Sequence, residues 1–530
     1  MPAGYNNYNF KRFEVNTRSK KLEIKFRLKD RNEWNNILGI VKGLTGRAFM
    51  SSSKCWTAPD LPHNRETLIK AGFQFQKPPT EKIPEKKPVN IDESLVPYLR
   101  PYQLEDLKFA ESREGRVLFA EPMGLGKTVI ALSYLIIHPE YRPCLIIVTA
   151  TTKLQWYREF KKWVSKKEYI EILYGKTPRP LRNDVTYIIN WDILDSWKEE
   201  IIKNNFKIII SDEVQAVGNP KAKRTKAYQK IAKKIPHVLA LSGTPFQSGP
   251  WQFFTILNIL APQVFSNRWK FYERYCDLKY NGFGSDYKGA TNLDELHQLS
   301  RHYMIRHEKE KVLKDLPPKI KTVIPLEVKN RAGYDELFSE LIRGGVNPRD
   351  IERLNDSVFQ YKAEEVIKWI EDFLESGEKL VVFAWHRAVV DILFDYFKKI
   401  AIRLYGGITG KDRQHSIDQF INNPRKKLFI ANLIAGGVGI DGLQGVCNNV
   451  ATVELYFNPA THWQAEDRLH RMGQASVVNS YYLVMDNSIE TDIMEILDTK
   501  GEAFMKVMRG ESLEETNLLT ELIKKYKGRF

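Results

Sequence analysis

The sequence predicts an α/β protein: two parallel-sheet lobes with helical insertions, preceded by a small N-terminal α+β module. Three observations carry this. From Pro97 onward, short apolar runs alternate with helical patterns, the mark of a parallel sheet whose crossovers are helices. A helical, aromatic region from Trp251 to Leu316 interrupts the alternation, which then resumes and so falls into two lobes. Ahead of the first lobe, residues 76–90 (QKPPTEKIPEKKPVN) have no hydrophobic period and read as an extended linker behind a separate module.

The elements follow in chain order. In the module, Leu22-Glu-Ile-Lys-Phe-Arg-Leu28 alternates as a half-buried strand does, Trp34 to Leu44 is helical, and a short Trp56-Thr-Ala-Pro segment follows. First-lobe strands are expected at Arg116–Ala120, Cys144–Thr149, Val185–Asn190, Phe206–Ser211 and His237–Leu241. Second-lobe strands are expected at Lys379–Ala384, Ala401–Leu404, Lys427–Ala431, Val450–Leu455 and Val478–Val484. The boundaries drawn from this are a basic module over 1–75, a linker over 76–90, lobe one over 91–320, a connector over 321–365, lobe two over 366–500 and a charged helix over 501–530.

Composition narrows the class. With 43% apolar and 28% charged residues the chain reads as a globular protein. No apolar run approaches the roughly 18 residues of a membrane helix, and Met1 to Lys11 lack a secretory pattern, so no membrane partner and a cytosolic location are expected. The four cysteines form no C-x-x-C pair, which argues against a disulfide framework or a cysteine-rich zinc module. The formal charge is +16, and residues 1–90 hold 18 Lys/Arg against 8 Asp/Glu. Such a surplus suits a polyanionic partner, because Lys and Arg displace counterions from phosphates; a solubilising surface is the alternative. Phe13, Phe26, Trp34, Phe49 and Trp56, interleaved with that charge, either stack on bases or form a small core.

The chemistry-bearing residues begin after the strand Arg116–Ala120. Glu121-Pro-Met123-Gly124-Leu125-Gly126-Lys127-Thr128 is a glycine-rich turn opening a helix, which aims backbone N–H groups and a helix dipole at phosphates. In such a loop Lys127 reaches the β- and γ-phosphates of ATP and the Thr128 hydroxyl ligates Mg²⁺. The strict pattern begins with Gly, and here Glu121 stands in that place. Phe206-Lys-Ile-Ile-Ile-Ser-Asp212-Glu213 is an apolar strand ending in an acid pair, where a P-loop's magnesium must be held. Asp212 is assigned to Mg²⁺ and Glu213 to the attacking water.

With Leu241-Ser242-Gly-Thr244-Pro after the next strand, the chain resembles the Swi/Snf branch of helicase superfamily 2. Asp212-Glu-Val-Gln215 and Ser242-Gly-Thr244-Pro look like its motifs II and III, and Arg100-Pro-Tyr-Gln103 like its adenine-reading motif, with Gln103 the base contact. The family usually carries His where Gln215 stands, so the coupling of motif II to motif III is the open point. Further on, Met304-Ile-Arg-His, Lys311-Val-Leu-Lys-Asp-Leu-Pro-Pro-Lys319, Tyr405-Gly-Gly and Ala435-Gly-Gly-Val-Gly-Ile440 are similar to segments of the second lobe. Asn432-Leu433 replaces the family's Ser-Thr pair. The strongest match is Gln464-Ala-Glu-Asp-Arg468-Leu-His-Arg471-Met-Gly-Gln474. Arg468 and Arg471, three apart, read as one face of a helix carrying forked phosphate ligands.

The resemblance implies RecA-like lobes that close on ATP and Mg²⁺. It also implies nucleic-acid backbone contacts near Thr149, Lys153, Asn190 and Asn432, and coupling through Gln215, Ser242, Thr244 and Gln464. Glu454 and Phe457, in Val453-Glu-Leu-Tyr-Phe-Asn, look more like the fork-remodelling annealing helicases than the chromatin remodellers. The implied partner is double-stranded or forked DNA, and the implied output is rewinding, branch migration or fork remodelling. The alternatives are a strand-separating DNA or RNA helicase, or a motor that strips proteins from nucleic acid. The chain's short length for that family suggests a nucleoid-associated repair motor of bacterial, archaeal or viral origin.

Overall fold

Runs such as Ile208–Ser211 and Leu145–Val148 are buried along their whole length. A strand covered on both faces needs apolar side chains at every position, which is why these segments become the inner strands of parallel sheets. The computed structural model describes residues 13–497 except 19–20, 27–29, 51–54, 60, 76–88, 90, 247–248, 281–284, 288, 329–330, 344–347, 407, 409, 434–439 and 496. The expected linker (all but Val89) and the helix over 501–530 lie outside the described residues.

The N-terminal module is a mixed sheet of β1 (Phe13–Arg18), β2 (Lys21–Phe26), β3 (Ala48–Met50), β4 (Cys55–Pro59) and β5 (Gln74–Phe75), in the order β3-β4-β2-β1-β5. Val15, Leu22 and Ile24 point to one face, where Ile37 and Val41 of the helix Arg31–Lys42 and Leu68 of the helix Pro62–Lys70 cover them. Asp30 caps the first helix by accepting the Glu33 N–H at 2.7 Å. Phe26 and Trp56 pack against this core, whereas Trp34 and Phe49 stay 40% and 54% exposed, available to a partner.

Lobe one is a sheet of β6 (Arg116–Phe119), β7 (Leu145–Val148), β8 (Ile170–Ile172), β9 (Thr186–Asn190), β10 (Ile208–Ser211), β11 (His237–Leu241) and β14 (Met304–Ile305). Its order is β14-β6-β11-β10-β7-β9-β8, every pair parallel. A short hairpin, β12 (Lys279–Tyr280) and β13 (Ser285–Asp286), lies in the helical insertion. The order matters because β6, β11 and β10 are neighbours. Their carboxyl ends bring the loops beginning at Ala120, Ser242 and Asp212 side by side. Val117 and Phe119 pack on the helix Lys127–Ile137 on one face, and Leu118 on the opposite core.

Lobe two contains β15 (Lys319–Leu326), β16 (Leu380–Ala384), β17 (Ala401–Leu404), β18 (Leu428–Asn432), β19 (Asn449–Thr452) and β20 (Val478–Met485). The order is β15-β20-β19-β16-β18-β17, again all parallel. One feature departs from the sequence reading. Residues 319–326, set there at the end of lobe one and the start of a connector, pair along their whole length with β20. The helix Pro348–Leu374 is no free connector either, since Ile351, Leu354, Phe359 and Val366 pack into lobe-two cores. The passage between sheets is therefore the segment 306–318. The four cysteines are buried, and no helix among the described residues is long and apolar enough to cross a membrane.

Candidate functional site

The loop after β6 is built for close approach. Gly124 and Gly126 hold φ of +87° and +81°, a region that side chains with a Cβ seldom enter. A Cβ on Gly126 would stand 2.5 Å from Gln103 Nε2, and one on Gly124 would stand 2.7 Å from Arg471 Cβ. The first contact packs the helix Pro101–Ser112 under the loop; the second presses lobe two onto its top. Gln103 donates to the Leu125 carbonyl at 3.0 Å and accepts the Arg100 N–H at 3.0 Å. Tyr102 Oη donates to the same Leu125 carbonyl at 2.9 Å. Met123, beside Gly124, is half-buried at the cleft, and Thr128 opens the helix right after Lys127.

Lys127 Nζ donates to the Glu121 carbonyl at 2.7 Å and to the Pro122 carbonyl at 3.3 Å, curled back over its own loop. Burial lowers its pKa, opposed by the nearby Glu213 and Asp212 carboxylates. Asp212, at the end of β10, accepts the Trp156 indole N–H at 2.9 Å and the Glu213 N–H at 3.0 Å. Burial and the neighbouring Glu213 push Asp212 up to about 6, as expected of a carboxylate short of positive charge. Glu213 sits in the left-handed region at φ +51°, where the chain turns out of the strand.

A chain of hydrogen bonds leaves this acid pair. Gln215 donates to Glu213 and its Oε1 accepts Ser242 Oγ at 2.6 Å. Ser242 Oγ accepts the Thr244 N–H at 3.1 Å, and Thr244 Oγ1 accepts Gln464 Nε2 of lobe two at 3.1 Å. The amide of Gln215 thus spans the acid pair and the Ser242 loop without a break.

On lobe two, the helix Pro459–Glu466 ends before Arg468 and Arg471, which lie in the turns that follow. This corrects the sequence reading of both arginines on one helical face. The chain tightens into shorter-range turns from Arg468 N–H to the Ala465 carbonyl and on to Gly473 at φ +89°, and Lys309 Nζ takes the His470 carbonyl at 2.8 Å. Both arginines nevertheless converge on Asp441: Arg471 bonds it directly and Arg468 stands 3.6 Å from it. Burial pushes Arg468 and the neighbouring Arg413 down to about 10, each further lowered by an adjacent arginine. Three guanidinium groups around one carboxylate leave net positive charge facing the P-loop, a setting that favours a multiply charged anion. Asp441 also accepts Gln155 of lobe one, so it ties the two lobes together.

Sequence reasoning missed Asp441, Trp156 and Arg413. A lone acid after the Ala435–Ile440 run was the signal for Asp441; Trp156 and Arg413 gave none. The residues assigned to nucleic-acid contact lie apart from this cluster. Thr149 Oγ1 bonds the hydroxyls of Thr151 and Thr152 at 3.1 and 2.9 Å. Lys153 is buried with Nζ on the Leu173 carbonyl and Asn190 Oδ1 at 3.0 and 3.1 Å, so two of its three N–H donors are already engaged. Asn432 Nδ2 donates to the Trp385 carbonyl. Most of the 435–440 run lies outside the described residues. A cavity of about 1620 Å³ opens between the lobes beside this site, bordered by Met123, Thr244, Arg306, Lys309, Trp463 and Gln464.

The SNF2-related domain matches residues 102–391, more than half of the chain, and the helicase conserved C-terminal domain matches residues 362–473. The chain belongs to the SNF2-related family. Among SNF2-related relatives, the Xenopus laevis SWI/SNF-related matrix-associated actin-dependent regulator of chromatin subfamily A-like protein 1 is 31% identical over 518 residues, 91% of this chain and 53% of that protein. The Bos taurus DNA annealing helicase and endonuclease ZRANB3 is 31% identical over 447 residues, 79% of this chain and 41% of that protein. The chain thus spans about half the length of the curated relatives it matches. The solved Sulfolobus solfataricus SWI2/SNF2 ATPase core in complex with dsDNA is 21% identical, covering 81% of this chain and 99% of that one at a TM-score of 0.37.

Proposed function

We propose that this SNF2-related chain is a DNA-dependent ATPase that translocates on double-stranded DNA and couples hydrolysis to rewinding, branch migration or fork remodelling. The observation that carries the reading is the meeting of the two walls at Gly124 and Arg471, with the P-loop and the acid pair on one side and clustered arginines on the other. Neither wall alone surrounds a triphosphate. The donor set fits ATP with Mg²⁺: Lys127 now rests on backbone carbonyls it can exchange for phosphate oxygens, and Asp212 is a half-buried acid short of a cation. Thr128 and Asp212 would hold the metal, which when bound would neutralise phosphate charge. Met123 to Lys127 cradle the phosphates with N–H groups, Gln103 reads the adenine edge, Glu213 orients the attacking water, and Arg468 and Arg471 steady the charge that develops on the transferred group.

The path Glu213–Gln215–Ser242–Thr244–Gln464 supplies coupling, since a change at the acid pair alters a bond that crosses the cleft. Thr149, Lys153, Asn190 and Asn432 are the residues this reading assigns to the DNA backbone, where contacts position without reading sequence. The module over 1–75, with exposed Trp34 and Phe49 on a basic background, docks DNA beside the motor. This reading goes with a cytoplasmic, nucleoid-side place of action. Relatives named as annealing helicases support the rewinding output over strand separation.

The test is ATP hydrolysis without nucleic acid and with duplex DNA, single-stranded DNA, forked DNA and duplex RNA. Stimulation by duplex or forked DNA is expected. Stimulation by single strands or RNA alone would replace this reading with a strand-tracking helicase.

A further inference from the structure

At the root of the P-loop, three elements converge on a point the mechanism above does not use. Asp106 comes from the helix Pro101–Ser112, Glu121 follows the end of β6, and His307 follows β14. One donor atom from each lies within 4.8 Å of the other two. Glu121 Oε1 stands 3.0 Å from His307 Nδ1, and Asp106 Oδ1 stands 3.5 Å from the same nitrogen. Asp106 and Glu121 are fully buried. Among the described residues neither Asp106 oxygen has a hydrogen-bond partner.

A buried carboxylate with no hydrogen bond is one of the costliest groups a fold can hold, and native proteins keep it where something else compensates. His307 does not fully do so. Its backbone N–H and its Nδ1 both serve Glu121, and it meets Asp106 only at 3.5 Å, without a hydrogen bond. The other ring nitrogen of His307, Nε2, meets the exposed Glu105 carboxylate at 3.2 Å. Once Nδ1 gives up its proton to an ion, that contact becomes the usual outer support of a metal-ligating histidine: Nε2 hands its N–H to a carboxylate, which fixes the ring and leaves the Nδ1 lone pair for the ion.

We propose that Asp106, Glu121 and His307 form a site for a divalent transition ion of the zinc class, with Glu105 holding His307 in place and water completing the coordination. The spacing suits it. Bonds of about 2.0–2.1 Å in a tetrahedral site put ligands about 3.4 Å apart, against the 3.0 and 3.5 Å found here. One imidazole and two carboxylates suit zinc and its neighbours better than Mg²⁺, which prefers oxygen ligands and keeps its waters. The site is distinct from the Mg²⁺ position assigned to Thr128 and Asp212. Its role is to fasten the root of the P-loop: the Glu121 carbonyl receives Lys127 Nζ, and Arg306, next to His307, donates to the Ala120 and Gly243 carbonyls at 2.6 and 3.1 Å.

The full chain, stripped by chelator and free of nucleotide and DNA, is titrated with Zn²⁺ by calorimetry and with Co²⁺ by visible absorption. The wild type is expected to take up one ion more than Asp106→Asn, or to bind it about tenfold or more tightly. It is also expected to show strong Co²⁺ d–d bands that the variant lacks, and a Tm raised by Zn²⁺ in the wild type alone. His307→Gln serves as the second variant if the first folds poorly. Without metal, Asp106→Asn should melt at or above the wild-type temperature, because it removes an unmatched buried charge. Equal uptake in wild type and variants, or a metal-free Tm several degrees lower in Asp106→Asn, overturns the proposal. The latter would make Asp106 the counter-ion of a protonated His307. No ATP enters the experiment, so its outcome is independent of the ATPase reading.

Discussion

The two walls of the cleft handle charge in opposite ways. On the arginine wall, buried charges are matched one to another. Lys309 pairs with Asp467 at 3.0 Å and Lys319 with Glu466 at 2.7 Å, while Ser480 and Tyr482 hydroxyls donate to Glu466 at 2.9 and 2.6 Å. Only beyond this braced layer, at Arg413, Arg468 and Arg471, does positive charge outnumber negative. On the P-loop wall the imbalance runs through the layer itself, with Lys127 resting on carbonyls, Asp212 pushed up to about 6 and Asp106 without a hydrogen bond. One wall is preorganised by the chain, and the other is completed by what binds it.

Breaking the incomplete wall should have the largest effect. Lys127→Ala is expected to abolish DNA-stimulated phosphate release; turnover retained within tenfold would remove Lys127 from the phosphates. On the preorganised wall, Arg471→Ala should lower kcat by about 10³-fold while a fluorescent ATP analogue still binds within a few-fold. Normal turnover in a folded variant would take the arginine out of the finger role. The brace behind it is tested by Lys309→Met, which strands most of the Asp467 charge in the interior. A loss of about 3 kcal/mol in denaturant unfolding is expected, and a change under 1 kcal/mol would mean that Lys319 alone balances both acids.

Smaller effects sharpen the contrast. Gln215→Ala cuts the hydrogen-bond path between the walls and should reduce the stimulation of hydrolysis by duplex DNA several-fold. An unchanged stimulation factor would show that coupling runs elsewhere. Smallest is a pH effect. Lys309 and Lys319 hold Asp467 down at about 2 despite its burial, from an ordinary 3.8. Its contribution to stability is therefore complete above the unfolded value and lost only as pH falls through about 2. Acid unfolding of Lys309→Met should begin at higher pH than in the wild type; coincident acid transitions would count against the matched-wall picture.

The sequence made the inner strands and the P-loop wall legible because each was local. Ile208–Ile210 is an unbroken apolar run, and Met123 to Thr128 state a phosphate turn in six residues. Lys319–Leu326 was not legible as a strand of lobe two. It carries two lysines, a threonine and a proline and is largely exposed, so its order comes from pairing with a strand some 150 residues later. The turn after Glu466 was invisible for the same reason, since Lys309, far away in sequence, takes a carbonyl that a helix would otherwise use. Asp441 escaped because a single acid beside a glycine run gains meaning only once Arg468, Arg471 and Gln155 gather around it. The contacts assigned to DNA rested on resemblance, and the structure brings only Lys153 and Asn190 of that group into contact.

The strand order of lobe two has a consequence for how the protein is made. The last strand among the described residues, β20, inserts between β15 and β19 rather than adding to an edge. Lobe one can complete its sheet once Met304–Ile305 has left the ribosome, whereas lobe two keeps two open strand edges until residue 485 follows. During that interval of synthesis the nascent chain offers β15 and β19 to any neighbouring strand, and chaperone protection should matter most there. A chain cut short before Val478 would hold that vulnerable state permanently.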